Sequence, residues 1–166
     1  MTTLSTIVGV YETHDKAITA LETLKAAGLP VKNMSFISKA DIIESKLHTF
    51  SNDKINNAPV EIGVVLGPVI GILAGLSIIA IPGLGLIYGA GAVVGAFAGF
   101  DFGLIGGGIT TILLKLGIHK DKTATYQEHL ENGKYIITIN GVKEIVEKAK
   151  ATLHTLGLHI DLQHHQ

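Results

Sequence analysis

Eight histidines and one isolated aspartate are the residues of this sequence whose chemistry calls for a partner. In an extended segment alternate side chains share a face, so His159, Asp161 and Gln163 fall together, and His164 and His165 follow directly. Imidazole beside carboxylate is a donor set for Zn²⁺, Ni²⁺ or Cu²⁺, which makes His159, Asp161, His164 and His165 the weak metal candidates. An exposed strand face followed by a frayed tail accounts for the same residues without a metal. His14, His48, His119, His129 and His154 have no ligand spacing among themselves and read as solvated. The chain has no cysteine, which removes disulfides, thiolate ligands and thiol nucleophiles. Gly103-Leu104-Ile105-Gly106-Gly107-Gly108 lacks the Lys-Ser/Thr pair and the strand-to-helix setting of a phosphate loop. No paired-acid motif or nucleophile–base pattern stands out. The expectation is a non-enzymatic protein with no catalytic residues, no cofactor and no resident metal.

Asp101 is the only formal charge between Ile62 and Leu114. All 13 cations, every one a lysine, lie outside that stretch, as do the other 13 acidic residues. A net charge of −1 gives no long-range attraction to nucleic acid, and the absence of arginine removes the bidentate forks that read phosphate and guanine. No nucleic-acid partner is expected.

Within the uncharged stretch glycine recurs every fourth residue, at Gly63, Gly67, Gly71 and Gly75, and again at Gly91, Gly95, Gly99, Gly103 and Gly107. In a helix, residues four apart stack on one face and leave a groove where another backbone can approach closely, the packing used between helices in lipid. In water, interior glycine costs about 1 kcal/mol each relative to alanine, so close packing has to offset it. Ile62 to Ala80 has the length of one membrane span, and Pro82-Gly83 with Gly85 marks a turn. Leu84 to Leu114 exceeds one span, so the second helix of a hairpin is expected either to protrude or to break near Asp101. There the aspartate either caps a helix starting at Phe102 or acts as an intramembrane carboxylate handling ions or protons. Packing of these glycine helices inside a soluble assembly is the alternative.

The flanks read as an α+β domain. Leu4 to Val10 is β-branched and apolar. Thr13 can cap a helix carrying Ala17, Ala20, Leu21 and Leu24 on one face, Gly28 ends it, and Val31 to Lys39 reads as a second strand. The grammar recurs in the strand Tyr135 to Asn140, the stripe Ile145, Val146, Ala149 and Leu153, the terminator Gly157 and a last strand Leu158 to Leu162. Val10 to Gly28 and Ile139 to Gly157 are equally spaced. Two matched βαβ units predict a ferredoxin-like βαββαβ sandwich with two helices on one face of four antiparallel strands, split by a membrane-type glycine-zipper helical hairpin. The divisions are residues 1–50 for the first half, 51–61 for a polar linker, 62–114 for the hairpin and 115–166 for the second half. A short helix within Asp41 to Phe50 is also expected.

Leu116-Gly117-Ile118, a polar helix with Tyr126 and Leu130, then Glu131-Asn132-Gly133-Lys134 and the strand Tyr135-Ile136-Ile137-Thr138 form a block. It resembles bacterial general-stress and low-temperature-induced proteins of the heat-induced-stress type, which carry a glycine-zipper insert between two halves of an α+β domain. The opening Ile7-Val8-Gly9-Val10-Tyr11, with Ala17 and Leu21, fits as well. His119-Lys120-Asp121-Lys122 stands where that family is usually more acidic. The resemblance implies a stress-linked, membrane-associated role with no assigned reaction.

The resulting expectation is a structural stress protein that self-assembles through its glycine-zipper helices into a homo-oligomer. Its partners are the lipid bilayer and other copies of itself. It lies in the cytoplasmic membrane with both termini cytoplasmic, or alternatively in a large soluble cytoplasmic assembly. Two other functions remain open: an oligomeric pore with Asp101 in the ion path, and a regulatory module in which the sheet domain senses a small ligand.

Overall fold

The computed structural model of the protein describes residues 4–39, 76–81, 85–91 and 108–166. They form an α+β structure. In chain order the elements are β1 (Ser5–Tyr11), α1 (His14–Ala26), β2 (Met34–Lys39), β3 (Leu76–Ile81), β4 (Gly85–Gly91), α2 (Gly108–Lys115), α3 (Lys120–Glu131), β5 (Tyr135–Gly141), α4 (Lys143–Leu156) and β6 (Asp161–His165). One sheet of six strands runs in the order β3-β4-β2-β5-β1-β6, and every pairing is antiparallel.

Local chemistry sets the helix ends. The Thr13 hydroxyl accepts from the Lys16 amide at 3.3 Å and Asp15 lies in the first turn of α1, where both favour the exposed amides and the positive end of the dipole. Gly28 and Gly157 terminate α1 and α4 in the left-handed region, as their spacing predicts.

β1 is buried at all seven positions, which requires cover on both faces of the sheet. On one face Ile7, Tyr11, Met34, Phe36, Tyr135, Ile137 and Ile139 pack beneath α1 and α4, through Ala17, Leu21, Leu24, Val146, Ala149 and Leu153. On the other, Val8, Val10, Ile37 and Ile136 pack beneath Ile109, Ile112, Leu113 and Leu116 of the α2 region, with Tyr126 and Leu130 of α3. The expected sandwich with helices on one face therefore becomes three layers. The reason is in the strands: apolar residues at alternate positions on both faces leave a second face that water would otherwise wet.

The 62–114 stretch departs most from expectation. Its described parts are not a helical hairpin. Leu76–Ile81 and Gly85–Gly91 are paired strands, from Leu76 opposite Ala90 to Ile81 opposite Gly85. β4 continues onto β2, with Ser35 opposite Gly91 and Lys39 opposite Ile87. Gly91, assigned to a helix-packing stripe, ends a strand. Pairing supplies the β2 edge with its backbone partners, which a helix could not do. The end of the stretch, Gly108–Lys115, is a helix of eight residues. Ile109, Ile112, Leu113 and Leu116 recur at the spacing of one helical face and bury it against the sheet.

These findings overturn the reading of a transmembrane, membrane-type protein. Among the described residues no helix is long and apolar enough to cross a membrane. Eight residues of α2 rise only about 12 Å, against a hydrocarbon core of about 30 Å, and its apolar face is already used. Gly63, Gly67, Gly71, Gly75, Gly95, Gly99, Gly103, Gly107 and Asp101 lie outside the described residues, as do the linker 51–61 and the helix expected at 41–50.

The last strand is displaced too. It runs Asp161–His165 rather than Leu158 to Leu162. Leu158 and Leu162 both pack at the edge of the core under α1 and α4, and Leu158 does so from the connection that leads into β6. His164 and His165, read as a frayed tail, are ladder residues opposite Ile7 and Thr6.

Candidate functional site

At one end of the sheet, the start of β1 lies between the ends of β5 and β6. Thr6 is opposite Asn140 on one side and His165 on the other. Alternation carries Thr6 and His165 to the same face as Val8 and Val10, toward α2 and α3. The junction of those helices, Leu116-Gly117-Ile118-His119, closes over this corner. The Thr6 hydroxyl donates to the Leu116 carbonyl at 2.8 Å. Gly117 has φ +82, and a Cβ there would lie 2.7 Å from Thr6 Oγ1. Glycine is thus required both for the left-handed turn and for the approach to β1.

His165 is only 4% exposed. Its Nε2 is 2.9 Å from the hydroxyl of Tyr126, and the two rings meet edge to face with centroids 5.8 Å apart. Burial raises the Tyr126 pKa well above that of a free phenol, and the charge of Asp161 adds to this. The phenol therefore keeps its proton, and it donates to Nε2 in the His165 tautomer that carries its own proton on Nδ1. Burial lowers the His165 pKa below the ordinary imidazole value, assisted by His119, His164 and Lys122 and opposed by Asp121. The ring of His119 lies 5.5 Å from that of His165, and His119 Nε2 is 2.9 Å from the Gln166 carbonyl. A carbonyl only accepts, so His119 Nε2 carries a proton and donates it. The corner is a set of polar ties that fasten β1 and β6 to the α2–α3 junction.

A second polar group lies on the same sheet face. Ser35 and Thr138 are directly opposite across β2 and β5, both fully buried. Asn140 follows two residues on. Among the described residues, Ser35 Oγ, Thr138 Oγ1 and Asn140 Oδ1 have no hydrogen-bond partner. Two hydroxyls and an amide oxygen can accept, and the hydroxyls can also donate, so the group suits a small polar ligand or bound water.

The four metal candidates are not gathered into one site. Asp161 and His165 face α3, and Asp161 accepts from Gln163 Nε2 at 2.8 Å. His164 is opposite Ile7 and faces the other side. His159 precedes the strand, with its ring 6.5 Å from that of His154. Among the described residues no group of three or more His, Asp or Glu is placed to hold a metal. Gln163 shares the face of Asp161, as alternation predicts, but His159 does not extend that strand. Two histidines read as solvated are otherwise engaged: His14 lies edge-on to Phe36 and Tyr135, and His119 ties down the end of β6. Thr6, Ser35 and Thr138 have no motif to announce them. Their signal is positional, as polar residues in strands whose neighbours are apolar on both faces.

A shallow groove between α1 and α4 is lined by Thr23, Ala151, Thr152, Thr155 and Leu156. Thr23 and Thr152 donate to the carbonyls of Thr19 and Lys148 in their own helices, which leaves their hydroxyls little free for a ligand. Comparison of the chain with protein-family models, with curated proteins and with solved structures finds no match.

Proposed function

We propose that this is a non-enzymatic, stress-related structural protein that self-associates, and that the sheet edge at β3 is its association surface. The observation that carries this reading is the sequence of that edge. β3 reads LSIIAI and β4 reads GLIYGAG, with no charge and no proline in either strand. Among the described residues no strand pairs with the outer side of β3. Edge strands are normally blunted by lysine, proline or a bulge, because their unpaired amides and carbonyls recruit another strand. An uncharged β-branched edge suits pairing with the β3 of a second copy. The resemblance of the Leu116 to Thr138 block to bacterial stress proteins supports the stress-linked part. The polar corner supports a non-catalytic role, because its side chains are spent on structural ties.

In the same reading, β1-α1-β2 and β5-α4-β6 are the halves of a ferredoxin-like unit. The order β6-β1-β5-β2 and the packing of α1 and α4 on a common face support it. The interrupting segment adds two strands to the sheet and a second helical layer beneath it.

The double substitution Ser77→Lys with Ile79→Lys tests the association surface. Light scattering is expected to give a wild-type particle larger than one chain and a variant of one chain, with unchanged circular dichroism. A monomeric wild type, or a variant of wild-type size, would overturn the proposal.

A second reading, a module that senses a small polar ligand, is favoured by the Ser35, Thr138 and Asn140 oxygens, which have no partner among the described residues. A rise in melting temperature with a small polyol or amide, absent in Ser35→Ala with Thr138→Val, is its test. Equal shifts in the two proteins would remove it.

A further inference from the structure

β6 is an edge strand of the described sheet. Among the described residues it pairs with β1 alone, from Val10 opposite Asp161 to Thr6 opposite His165. Four of its five residues are only half-buried, and His165 is the one that is buried. Beyond the ladder, its end is fastened by the Tyr126–His165 contact and by His119 on the Gln166 carbonyl. Only Gly157, Leu158, His159 and Ile160 join it to α4, and Gly157 is left-handed.

We propose that β6 is an exchangeable strand: acid releases it from β1 by protonating His165, and on return to neutral pH it closes either onto its own β1 or onto that of a second copy. With His165 neutral and its proton on Nδ1, Nε2 accepts from the Tyr126 phenol. A proton on Nε2 points at the Tyr126 oxygen and forces the phenol hydrogen to turn away inside a buried space. The new charge faces His119 and Lys122 from the α3 end and His164 from its own strand, all opposing it. Asp121 favours it, and Asp161 acts on Tyr126. From β1 the neighbour is Thr6, neutral and already committed to Leu116. Most of these neighbours oppose the proton, so acid weakens the one buried side-chain anchor of the strand.

The edge uncovered on β1 has one cognate strand, β6, and every copy carries it. Closure in trans re-forms the same ladder and the same Tyr126–His165 contact, and differs only in the four-residue connection. Exchange of an identical element is for that reason an inexpensive route to a dimer. This association uses the opposite edge of the sheet from β3 and does not depend on it.

The full chain is held at about pH 5 at several protein concentrations, returned to about pH 7.5, and its mass measured by size exclusion with light scattering. The wild type is expected to gain a dimer whose fraction rises with concentration during the acid step and persists on dilution. His165→Gln keeps an acceptor for Tyr126 and does not titrate, so it is expected to gain none. His159→Gln, in the connection but outside the contact, is expected to behave as wild type. Absence of an acid-dependent dimer in the wild type, or its presence in His165→Gln, would overturn the proposal. Amide exchange on the wild type gives a reading independent of any variant. Corrected for intrinsic rates, β6 is expected to lose protection in acid before β5. Simultaneous loss across both strands would overturn the proposal as well. Reversible association that ignores the acid step belongs to β3.

Discussion

The Tyr126 hydroxyl lies 2.9 Å from Nε2 of His165, joining the middle of α3 to the end of β6 across 39 residues of sequence. Both residues are buried, so neither polar atom has bulk water to fall back on. Their mutual contact therefore matters more than its single bond suggests.

Tyr126→Phe keeps the ring and removes the hydroxyl, leaving His165 Nε2 buried without its donor. The expected loss is about 1–3 kcal/mol of unfolding free energy, measured by urea denaturation. An unchanged midpoint would show that Nε2 finds another partner.

The pH dependence of stability follows from the direction of the His165 shift. Its folded pKa is lowered, so between that value and the unfolded value of about 6.5 the unfolded chain binds more protons. Stability from this group is fully present above the unfolded value and is lost as pH falls through the folded one. Denaturation at a series of pH values is expected to show wild-type stability falling below about pH 6.5, with a shallower fall in His165→Gln. Parallel curves would assign the acid response to other groups.

Gly117→Ala is expected to destabilise by about 1–3 kcal/mol, because φ is +82 and the new methyl would stand 2.7 Å from Thr6 Oγ1. Thr6→Ala relieves the contact and leaves the backbone strain. The double variant should then lose less than the sum of the two single losses. Strict additivity in a thermal or urea series would mean that the approach of the two residues carries no strain.

Ile112→Ala separates a packed helix from a lipid-facing one. Ile112 is fully buried, so the cavity is expected to cost about 2–5 kcal/mol. Leu114→Ala, at a position 42% exposed, is expected to stay within about 0.5 kcal/mol. Equal effects at the two positions would contradict burial of the 109, 112, 113 and 116 face.

Much of the outer framework is legible in the sequence. The Thr13 cap, the glycines that end α1 and α4 and the apolar stripe of each helix are local signals, and their physics acts over a few residues. The strands β1 and β5 announce themselves through β-branched runs. The polar corner is not legible in that way, because His165, Tyr126, Thr6 and Leu116 meet only when β6 takes the edge of β1 and the α2–α3 junction folds over it.

The glycine-rich stretch shows the division most clearly. A spacing of four puts residues near one face of a helix, but four is also twice the strand period, so Gly85 and Gly89 share a face of β4 just as well. The sequence determined that 62–114 is apolar, nearly uncharged and glycine-spaced, and either period accommodates that. What decided the described part was the edge of β2, whose backbone groups need partners when buried, and a second sheet face that exposes Val8, Val10, Ile37 and Ile136 to water unless helices cover it. Both demands arise from residues far away in the chain, and only the assembled sheet brings them to bear on this segment.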